Sequence, residues 1–595
     1  MPPKPTKDIL GDIRIKFQDV QKLSNDEGKF RSEEEPHKIK YQLIYKLKWL
    51  EKSLTKILAH TPKEEQETKI LMLAVVHLNL GELYIDINAL RTGKEELMKC
   101  IKLLKNKELE PAAILILLSA LNPLGHLWYQ WNKPTKAQDF LLRAEQIYND
   151  FINAHGDSVD PISMAQTFGI EESEKESHPR EMLEGLHIFT LNYLTLVYES
   201  MEDFANAAKY CLMTLSKELS RNESMQDLDY TEWALNATVL SHYFTKNDNF
   251  TQARHLLAAA AYILEKYEDI LKRKTENDGD NEALEDDWEN FQRKSAYHAR
   301  CWALYGIMLL SSSKSRLMKE NESEKENEQS DDNSSEPKIL DTIRFDILEE
   351  KIKPIENQIT DKYLLNFDDA KLVFLNMQKW LNQAKLYYTL EDHASDYIII
   401  VQDISQGYKY LSFFETDKDR QAKMHKRRIN ILEDVIEKVN PYYYKAACRK
   451  IWIELGETYY DILGLKADRE NPMPQTVAKI DKLARSSIKN FEAFLDSLEV
   501  DNSGTEIKQF PHELVQTALL SYLHLGRLYG KLVSSDKTNE LENTEKRLNA
   551  FKFVVDYCKK YPETIGAMNI LNPCKQAIDL LSLEIKSLQN KIINK

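Results

Sequence analysis

The sequence predicts an all-α fold, an α-solenoid built from degenerate helical repeats with elongated helices. Three observations support this prediction. The 595 residues include only 17 glycines and 18 prolines, and 42% of them are hydrophobic, a composition that favours long helices over sheets. Apolar residues recur at helical spacing along most of the chain. A short motif containing a small residue and a following aromatic residue then returns along the sequence, which indicates internal repeats.

The recurring motif matches the tetratricopeptide repeat, a helical hairpin of about 34 residues whose first helix reads W-x2-L-G-x2-Y. Trp452, Leu455, Gly456 and Tyr459 fit this spacing in full. Five weaker copies carry their small eighth residue at Gly81, Gly125, Thr195, Ser241 and Gly526. A small residue there lets the two helices of a hairpin approach closely. The uneven spacing of the copies predicts elongated helices and inserted loops.

The polar stretch 312–338 divides the chain by composition. It contains almost no apolar residues and predicts an acidic, disordered linker. We therefore expect an N-terminal helical repeat half at 1–311 and a C-terminal helical repeat half at 339–595. The last helix, at about 571–592, is expected to cap the second half by covering its final apolar face.

Charge and cysteine spacing exclude several classes of function. A net charge of −15 argues against general nucleic-acid binding, because neutralising phosphates requires a basic surface. The six cysteines lack the paired spacing of zinc ligands. The N-terminus lacks the apolar core of a signal peptide, and no uncharged run approaches the ~18 residues of a membrane span. We expect a cytoplasmic protein that binds neither nucleic acid nor membrane.

The search for catalytic motifs yields near-matches only. The segment HELVQ at 512–516 begins like the zinc motif HExxH, but Gln516 replaces the second histidine. The segment TGKEE at 92–96 lacks the preceding glycines of a phosphate-binding loop, and the acidic window 283–289 lacks the spacing of a calcium loop. We therefore expect no enzymatic activity, no cofactor and no metal.

A basic cluster, KMHKRR at 423–428, stands out in this acidic chain. Thr416 and Asp419 resemble a helix start, and apolar residues then follow on one face, at Ala422, Ile429, Leu432, Ile436 and Val439. His425 lies on or near that face, whereas Lys426 and Arg427 point mainly off it. The pattern leaves two interpretations open, a helix that braces its neighbours and a helix that contacts a partner. It slightly favours bracing, and it disfavours a nuclear import signal.

Several segments resemble the KIF-binding protein (kinesin-binding protein) family. The most specific are FFETD at 413–417 and KMHKRRI at 423–429, and EWALNA at 232–237 and FKFVVDYCKKYPE at 551–563 add to them. Such segments follow one another in order over nearly the whole chain, so the resemblance covers both halves.

This resemblance implies a right-handed tetratricopeptide-like α-solenoid that is not an enzyme. Members of the family clasp the motor domains of a subset of kinesins on the concave side of the solenoid. They cover the microtubule-binding face of the motor, so that the motor cannot engage its track. The family is linked to axonal outgrowth, mitochondrial distribution and spindle motors. We accordingly expect a cytoskeleton-associated monomer whose partners are kinesin motor domains.

Repeat positions near 5, 6, 9, 12 and 13 of the first helix face the inner groove in such arrays. In the copy centred on Thr195 they include Tyr193, Leu196 and Glu199, and in the copy centred on Ser241 they include Val239 and His242. An exposed Tyr-Leu pair there would anchor a partner, since aromatic residues dominate binding hot spots. The alternative is that the irregular array buries both side chains. His425, Lys426 and Arg427 complete the set of candidate contact residues.

The competing hypothesis is a co-chaperone or scaffold that grips an acidic peptide tail through a two-carboxylate clamp. Such a clamp requires lysine and asparagine at set groove positions. The first two copies place Leu78, Glu82, Asn122 and His126 at those positions, so the paired lysine and asparagine are missing.

Overall fold

The structure, a computed structural model, describes residues 6–27, 37–156, 158–171, 178–221, 228–278, 282–326, 344–467, 474–498, 509–534, 536–562 and 568–593. These residues form helices joined by turns and loops, and no strand occurs among them. The prediction of an all-α chain is confirmed.

Twenty-one α-helices occur in the described part of the chain. In order they are α1 (Thr6–Glu27), α2 (Lys38–His60), α3 (Glu67–Asp86), α4 (Leu90–Leu103), α5 (Ile114–Gln130), α6 (Pro134–His155), α7 (Met164–Thr167), α8 (Pro179–Ser200), α9 (Phe204–Arg221), α10 (Tyr230–Lys246), α11 (Phe250–Asp278), α12 (Glu282–Glu326), α13 (Glu349–Glu356), α14 (Phe367–Ala384), α15 (Ala394–Phe414), α16 (Lys418–Lys438), α17 (Lys445–Ala467), α18 (Pro474–Leu498), α19 (Val515–Tyr529), α20 (Lys537–Lys560) and α21 (Met568–Ile593). Each of the six predicted repeats corresponds to two consecutive helices: α3–α4, α5–α6, α8–α9, α10–α11, α17–α18 and α19–α20. The helical-repeat prediction is therefore confirmed.

The chain forms two compact units. The first unit comprises Met1–Tyr243 with Ser335–Glu350, and the second comprises Phe244–Ser334 with Lys351–Lys595. Each unit has its own apolar interior. In the first, leucines of α2, α3 and α5 make up much of the largest buried cluster. In the second, buried side chains of α15 to α21 pack in neighbouring clusters.

The predicted linker differs from the structure at its beginning. Helix α12 continues to Glu326, so residues 312–326 are helical rather than part of a disordered segment. Oppositely charged residues four positions apart stabilise a helix here, because they lie one turn apart on the same face. Arg316 and Glu320 form such an ion pair at 2.9 Å. Residues 327–338, the remainder of the predicted linker, lie outside the described residues.

The small residues of the repeats act as the sequence predicts, by allowing close contact within a hairpin. A Cβ atom on Gly81 would lie 2.6 Å from the Leu97 side chain, and one on Gly93 would lie 2.9 Å from the carbonyl oxygen of Gly81. A Cβ atom on Gly526 would lie 2.3 Å from the Phe551 ring. Real Cβ atoms do not approach other atoms so closely, so these glycines set the separation of the paired helices.

Four of the hairpins have the same turn between their two helices, which the sequence analysis did not predict. One residue in each turn has a left-handed backbone, with φ between 55° and 62°, and these residues are Asn88, Asn132, Glu202 and Asp248. The residue after it donates its amide to a carbonyl five positions earlier, at 2.7–3.0 Å. This is the bond of the Schellman motif, which closes the end of a helix. The same turn therefore ends the first helix of each of these repeats.

Helix α3 is the one described helix that is long and apolar enough to cross a membrane by length and composition. Half of its apolar window is buried, and Val75 and Leu78 are fully enclosed. The packing of α3 in the interior of the first unit accounts for its apolar character.

The terminal helix expected at about 571–592 is present as α21, Met568–Ile593. Cys574 and Leu581 of α21 are buried in one apolar cluster with Val554 and Tyr557 of α20. The last helix thus covers the apolar side of the helix before it.

Candidate functional site

An exposed apolar row runs along α8 in the first unit. Met182, Phe189 and Leu196 are spaced by seven residues and therefore share one helix face, and they are 37%, 55% and 40% exposed. The opposite face, with Leu183, Leu191 and Leu194 among others, is buried in the interior of the unit. Buried apolar residues thus fix the orientation of α8, and the exposed row is displayed as a consequence. We call Met182, Phe189, Tyr193 and Leu196 the α8 row.

Tyr193, the fourth member of the row, is half-buried. Its ring stacks on the imidazole of His126 in α5, with centroids 4.8 Å apart and planes 10° from parallel. Burial raises the pKa of Tyr193 and lowers the pKa of His126, so both rings are favoured in their neutral forms. The sequence analysis left open whether Tyr193 and Leu196 are exposed or buried. Leu196 is exposed, whereas only part of the Tyr193 ring reaches the surface.

The remaining candidates of the first unit lie on α8 and α10. Glu199 follows the row on α8 and is exposed. On α10, Val239 is 48% exposed and His242 is half-buried. Phe189 was missed by the sequence analysis, although it occupies position 2 of the repeat in which Leu196 occupies position 9. Extending the groove-facing positions 5 and 6 by one helical turn toward the N-terminus, to positions 1 and 2, would have found it.

The basic cluster belongs to α16 in the second unit, where some of its side chains are exposed and others are buried. Helix α16 begins after Asp417, whose carboxylate accepts hydrogen bonds from the amides of Asp419 and Arg420. The predicted cap at Thr416 is therefore displaced by one residue, because an aspartate side chain reaches both amides. Lys426 and Arg427 are exposed, as predicted, and remain candidates for contact with a partner.

His425 is buried, which corrects its assignment as a partner-contacting residue. Its Nδ1 accepts a hydrogen bond of 3.0 Å from Nη1 of Arg428, a side chain with no solvent exposure. Because arginine only donates, Nδ1 of His425 carries no proton in this arrangement. Of the two interpretations that the pattern left open, the burial of His425 supports a helix that braces its neighbours.

Arg428 is the centre of a buried polar cluster that joins three helices. Its Nε donates to the Ser405 hydroxyl of α15 at 3.2 Å, and its Nη2 donates to the Glu454 carboxylate of α17 at 3.2 Å. The Ser405 hydroxyl itself donates to Glu454. We call His425, Arg428, Ser405 and Glu454 the Arg428 cluster. It braces α16 against both of its neighbours, which is the role that the pattern slightly favoured.

The pKa of His425 predicts a pH dependence of stability. Burial, followed by the positive charges of Arg428 and Lys409, lowers this pKa from 6.5 to about 4. In the unfolded chain the imidazole binds a proton near pH 6.5, so the folded state is penalised as the pH falls through this window. By linkage, lowering the pH from 7 to 5 should cost about 2 kcal/mol of unfolding free energy through this residue.

The check is urea unfolding at both pH values, for the wild type and for His425→Gln. Glutamine keeps an acceptor for Arg428 but does not titrate, so the variant should lose less stability at pH 5. An equal loss in both proteins would show that His425 is not responsible.

One group of potential metal ligands occurs among the described residues. Oxygen or nitrogen atoms of Glu51, His77 and Glu96 lie within 4.8 Å of one another. Two lysines are bound to the same carboxylates: Lys48 lies 2.9 Å from Glu51 and 3.0 Å from Glu96, and Lys99 lies 3.1 Å from Glu96. Although burial favours the neutral acid, hydrogen bonds from His77 and the lysines lower the pKa of Glu96 to about 2. The lysines supply the positive charge that a metal would bring, so the group is an ion-pair network.

Helical hairpins with an exposed apolar row on one helix are typical of helical-repeat proteins that bind other proteins. The comparisons with known proteins agree with this class. A family model described as "KIF-1 binding protein C terminal" matches residues 231–588. The chain belongs to the KIF-binding protein family.

Relatives with this name match almost end to end. The KIF-binding protein of Gallus gallus is 32% identical over 601 residues, covering 97% of each chain. The protein of Homo sapiens is 31% identical over 627 residues, covering 97% of this chain and 98% of the relative, and that of Drosophila melanogaster is 29% identical over 607 residues. A structure described as "Cryo-EM map of KIFBP" is 26% identical, with a TM-score of 0.62, and covers 98% of this chain and 99% of its own.

Proposed function

We propose that this protein is a non-enzymatic adaptor that binds kinesin motor domains and blocks their attachment to microtubules. The observation that carries the proposal is the match, over nearly the full length of both chains, to relatives named KIF-binding protein. The match includes both units and is not limited to one repeat. The relatives that share both units are named for binding to KIF proteins, which are kinesins.

The α8 row is the proposed anchor for the motor. Phe189 and Leu196 offer exposed apolar area on a helix that the interior of the unit holds in place. Aromatic and apolar side chains on a rigid support lose little conformational entropy on binding, so they make effective hot spots. Glu199 lies at the end of the row, and the chain carries a net charge of −15. Both suit a motor surface that is basic because it binds microtubules.

Inhibition in this proposal is competition for one surface. A motor whose microtubule-binding face is covered by this protein has no free face with which to engage its track. No chemical step is required, which is why we propose an adaptor rather than an enzyme. The competition takes place in the cytoplasm, on the soluble pool of motors beside the cytoskeleton.

A co-chaperone clamp for acidic tails is the second candidate, and the groove positions of the first two repeats disfavour it. Leu78 is fully buried, and Glu82 carries a carboxyl group, which cannot supply the positive charge that such a clamp requires. Asn122 is buried, and its amide oxygen accepts a hydrogen bond of 2.8 Å from Thr190. His126 is engaged in the stack with Tyr193. These four side chains therefore cannot form a two-carboxylate clamp.

A binding experiment distinguishes the two candidates. The purified chain is titrated with a panel of kinesin motor domains in the absence of microtubules, and in parallel with a peptide that ends in an acidic chaperone tail. We expect saturable binding to at least one motor domain, and no binding of the tail that depends on its terminal carboxylate, which a two-carboxylate clamp requires. Binding to the tail alone, lost when its terminal carboxyl group is amidated, would replace the proposal with the clamp.

A further inference from the structure

Helix α2 in the first unit displays a ladder of exposed aromatic side chains. Tyr41, Tyr45 and Trp49 recur every four residues and are 59%, 78% and 39% exposed. The other face of α2 is fully buried through leucines at 43, 47, 50 and 54. The helix is therefore fixed in place by its apolar face, and its aromatic face is left on the surface. Exposed aromatic residues in such a group are uncommon on a surface that has no partner.

Two members of the ladder, Tyr41 and Tyr45, line an open groove of about 810 Å³ where α2 passes α1. The groove is lined by Tyr41, Tyr45, Lys16, Lys38, Lys46 and His37, among others. Its lining combines two aromatic rings with the amino groups of three lysines. A groove of this size and shape fits a few residues of a peptide chain.

The groove is a positively charged site on a negatively charged protein. Helix α2 contains six lysines and one glutamate, whereas the whole chain has a net charge of −15. The structure holds some of these amino groups in place: Lys46 lies 3.3 Å from Asp19, and Lys40 lies 3.3 Å from Asp86. The ammonium of Lys16 lies over the Trp49 ring, 5.5 Å from its centre. Cations fixed beside aromatic rings favour ligands that combine negative charge with an apolar group.

We propose that this α1–α2 groove binds an acidic peptide segment of a partner protein. Carboxylates of the segment would pair with Lys16 and Lys38, and an apolar side chain of the segment would pack on Tyr41 and Tyr45. The groove shares no residue with the α8 row, and we propose this binding in addition to the proposed binding of a motor.

The shape and charge of the groove favour a peptide over other anionic ligands. A helix that binds a bilayer inserts its apolar face, whereas the leucine face of α2 is buried inside the protein. A nucleic-acid backbone carries a charge at every phosphate and would pass close to the carboxylates of Asp19 and Asp86. A peptide can place its carboxylates only where the lysines lie.

The test uses the full chain and a fluorescein-labelled peptide of eight glutamates with one central phenylalanine. We expect saturable binding that weakens with added salt and is absent for the same peptide with glutamine in place of glutamate. The double variant Tyr41→Ser/Tyr45→Ser should weaken binding about tenfold or more. Lys16→Glu/Lys38→Glu should abolish it. Thermal melting of each variant, compared with the wild type, establishes that the fold is retained.

A matched control exists in the second unit, where Tyr442 and Tyr443 are 83% and 76% exposed. Tyr442→Ser/Tyr443→Ser should bind the peptide as the wild type does. An equal loss in this control, equal binding of the glutamine peptide, or no binding at all would overturn the proposal. So would tighter, Tyr41-dependent binding to vesicles of anionic lipid or to a single-stranded oligonucleotide. Motor binding is measured separately, so failure here leaves the proposed function unaffected.

Discussion

Replacing Arg428 with alanine is expected to destabilise the second unit by about 3–5 kcal/mol. The guanidinium is fully buried and donates to Ser405, His425 and Glu454. Its removal leaves the largely buried carboxylate of Glu454 without a cation and opens a cavity between α15, α16 and α17. Chemical denaturation measures the loss of stability. Hydrogen exchange in the intact chain should show that the protection of these three helices falls most.

The adjacent residue supplies the control. Arg427 is exposed and lies over the Tyr408 ring at 5.8 Å, and Lys426 is also exposed. Alanine at either position should cost no more than about 1 kcal/mol, as is usual for exposed charges. If Arg427→Ala and Arg428→Ala destabilise the protein equally, the Arg428 cluster is not what braces α16. If Lys426→Ala or Arg427→Ala instead weakens motor binding with stability unchanged, these residues contact the partner.

Removing the apolar side chains of the α8 row should weaken motor binding strongly. For Phe189→Ala/Leu196→Ala we expect a loss of about 2–4 kcal/mol, or roughly 30-fold to 1,000-fold in Kd. Both side chains are substantially exposed in the free protein, so the substitutions should leave stability nearly unchanged. Isothermal titration with a motor domain that binds the wild type gives the two affinities. Adding Tyr193→Ala should weaken binding further, although loss of the stack on His126 also affects the fold.

Leu583 of α21 provides a comparable exposed leucine in the second unit, at 67% exposure. Leu583→Ala should bind the motor domain as the wild type does. If the α8 variant keeps wild-type affinity while its fold is intact, the α8 row is not part of the interface. If Leu583→Ala loses as much affinity as the α8 variant, the effect is not specific to that row.

Local sequence patterns were sufficient to predict the repeats. The small residues that mark them, such as Gly81 and Gly526, are dictated by contact within a single hairpin. The apolar face of α16 was likewise visible in the spacing of Ile429, Leu432 and Val439, which the structure buries. These features depend on residues close together in the chain, so periodicity reveals them.

The burial of Arg428 could not be predicted in this way. Within the string KMHKRR an arginine is most simply interpreted as part of a solvated flank. Its partners Ser405 and Glu454 lie 23 and 26 residues away on other helices, so only the packing of α15, α16 and α17 brings them together. The same holds for the stack of His126 on Tyr193, which depends on how two helices from different repeats lie together. A side chain that pairs across helices leaves no local periodicity in the sequence.

Co-sedimentation with microtubules tests the proposed function most directly. Motor domains that bind the chain in solution are mixed with microtubules and a nucleotide analogue that favours tight attachment, and the chain is then added in increasing excess. We expect the motor to move from the pellet to the supernatant as the chain saturates it, and to remain in the pellet with the Phe189→Ala/Leu196→Ala variant. A motor that still pellets at saturation, carrying the chain with it, would contradict the competition that we propose.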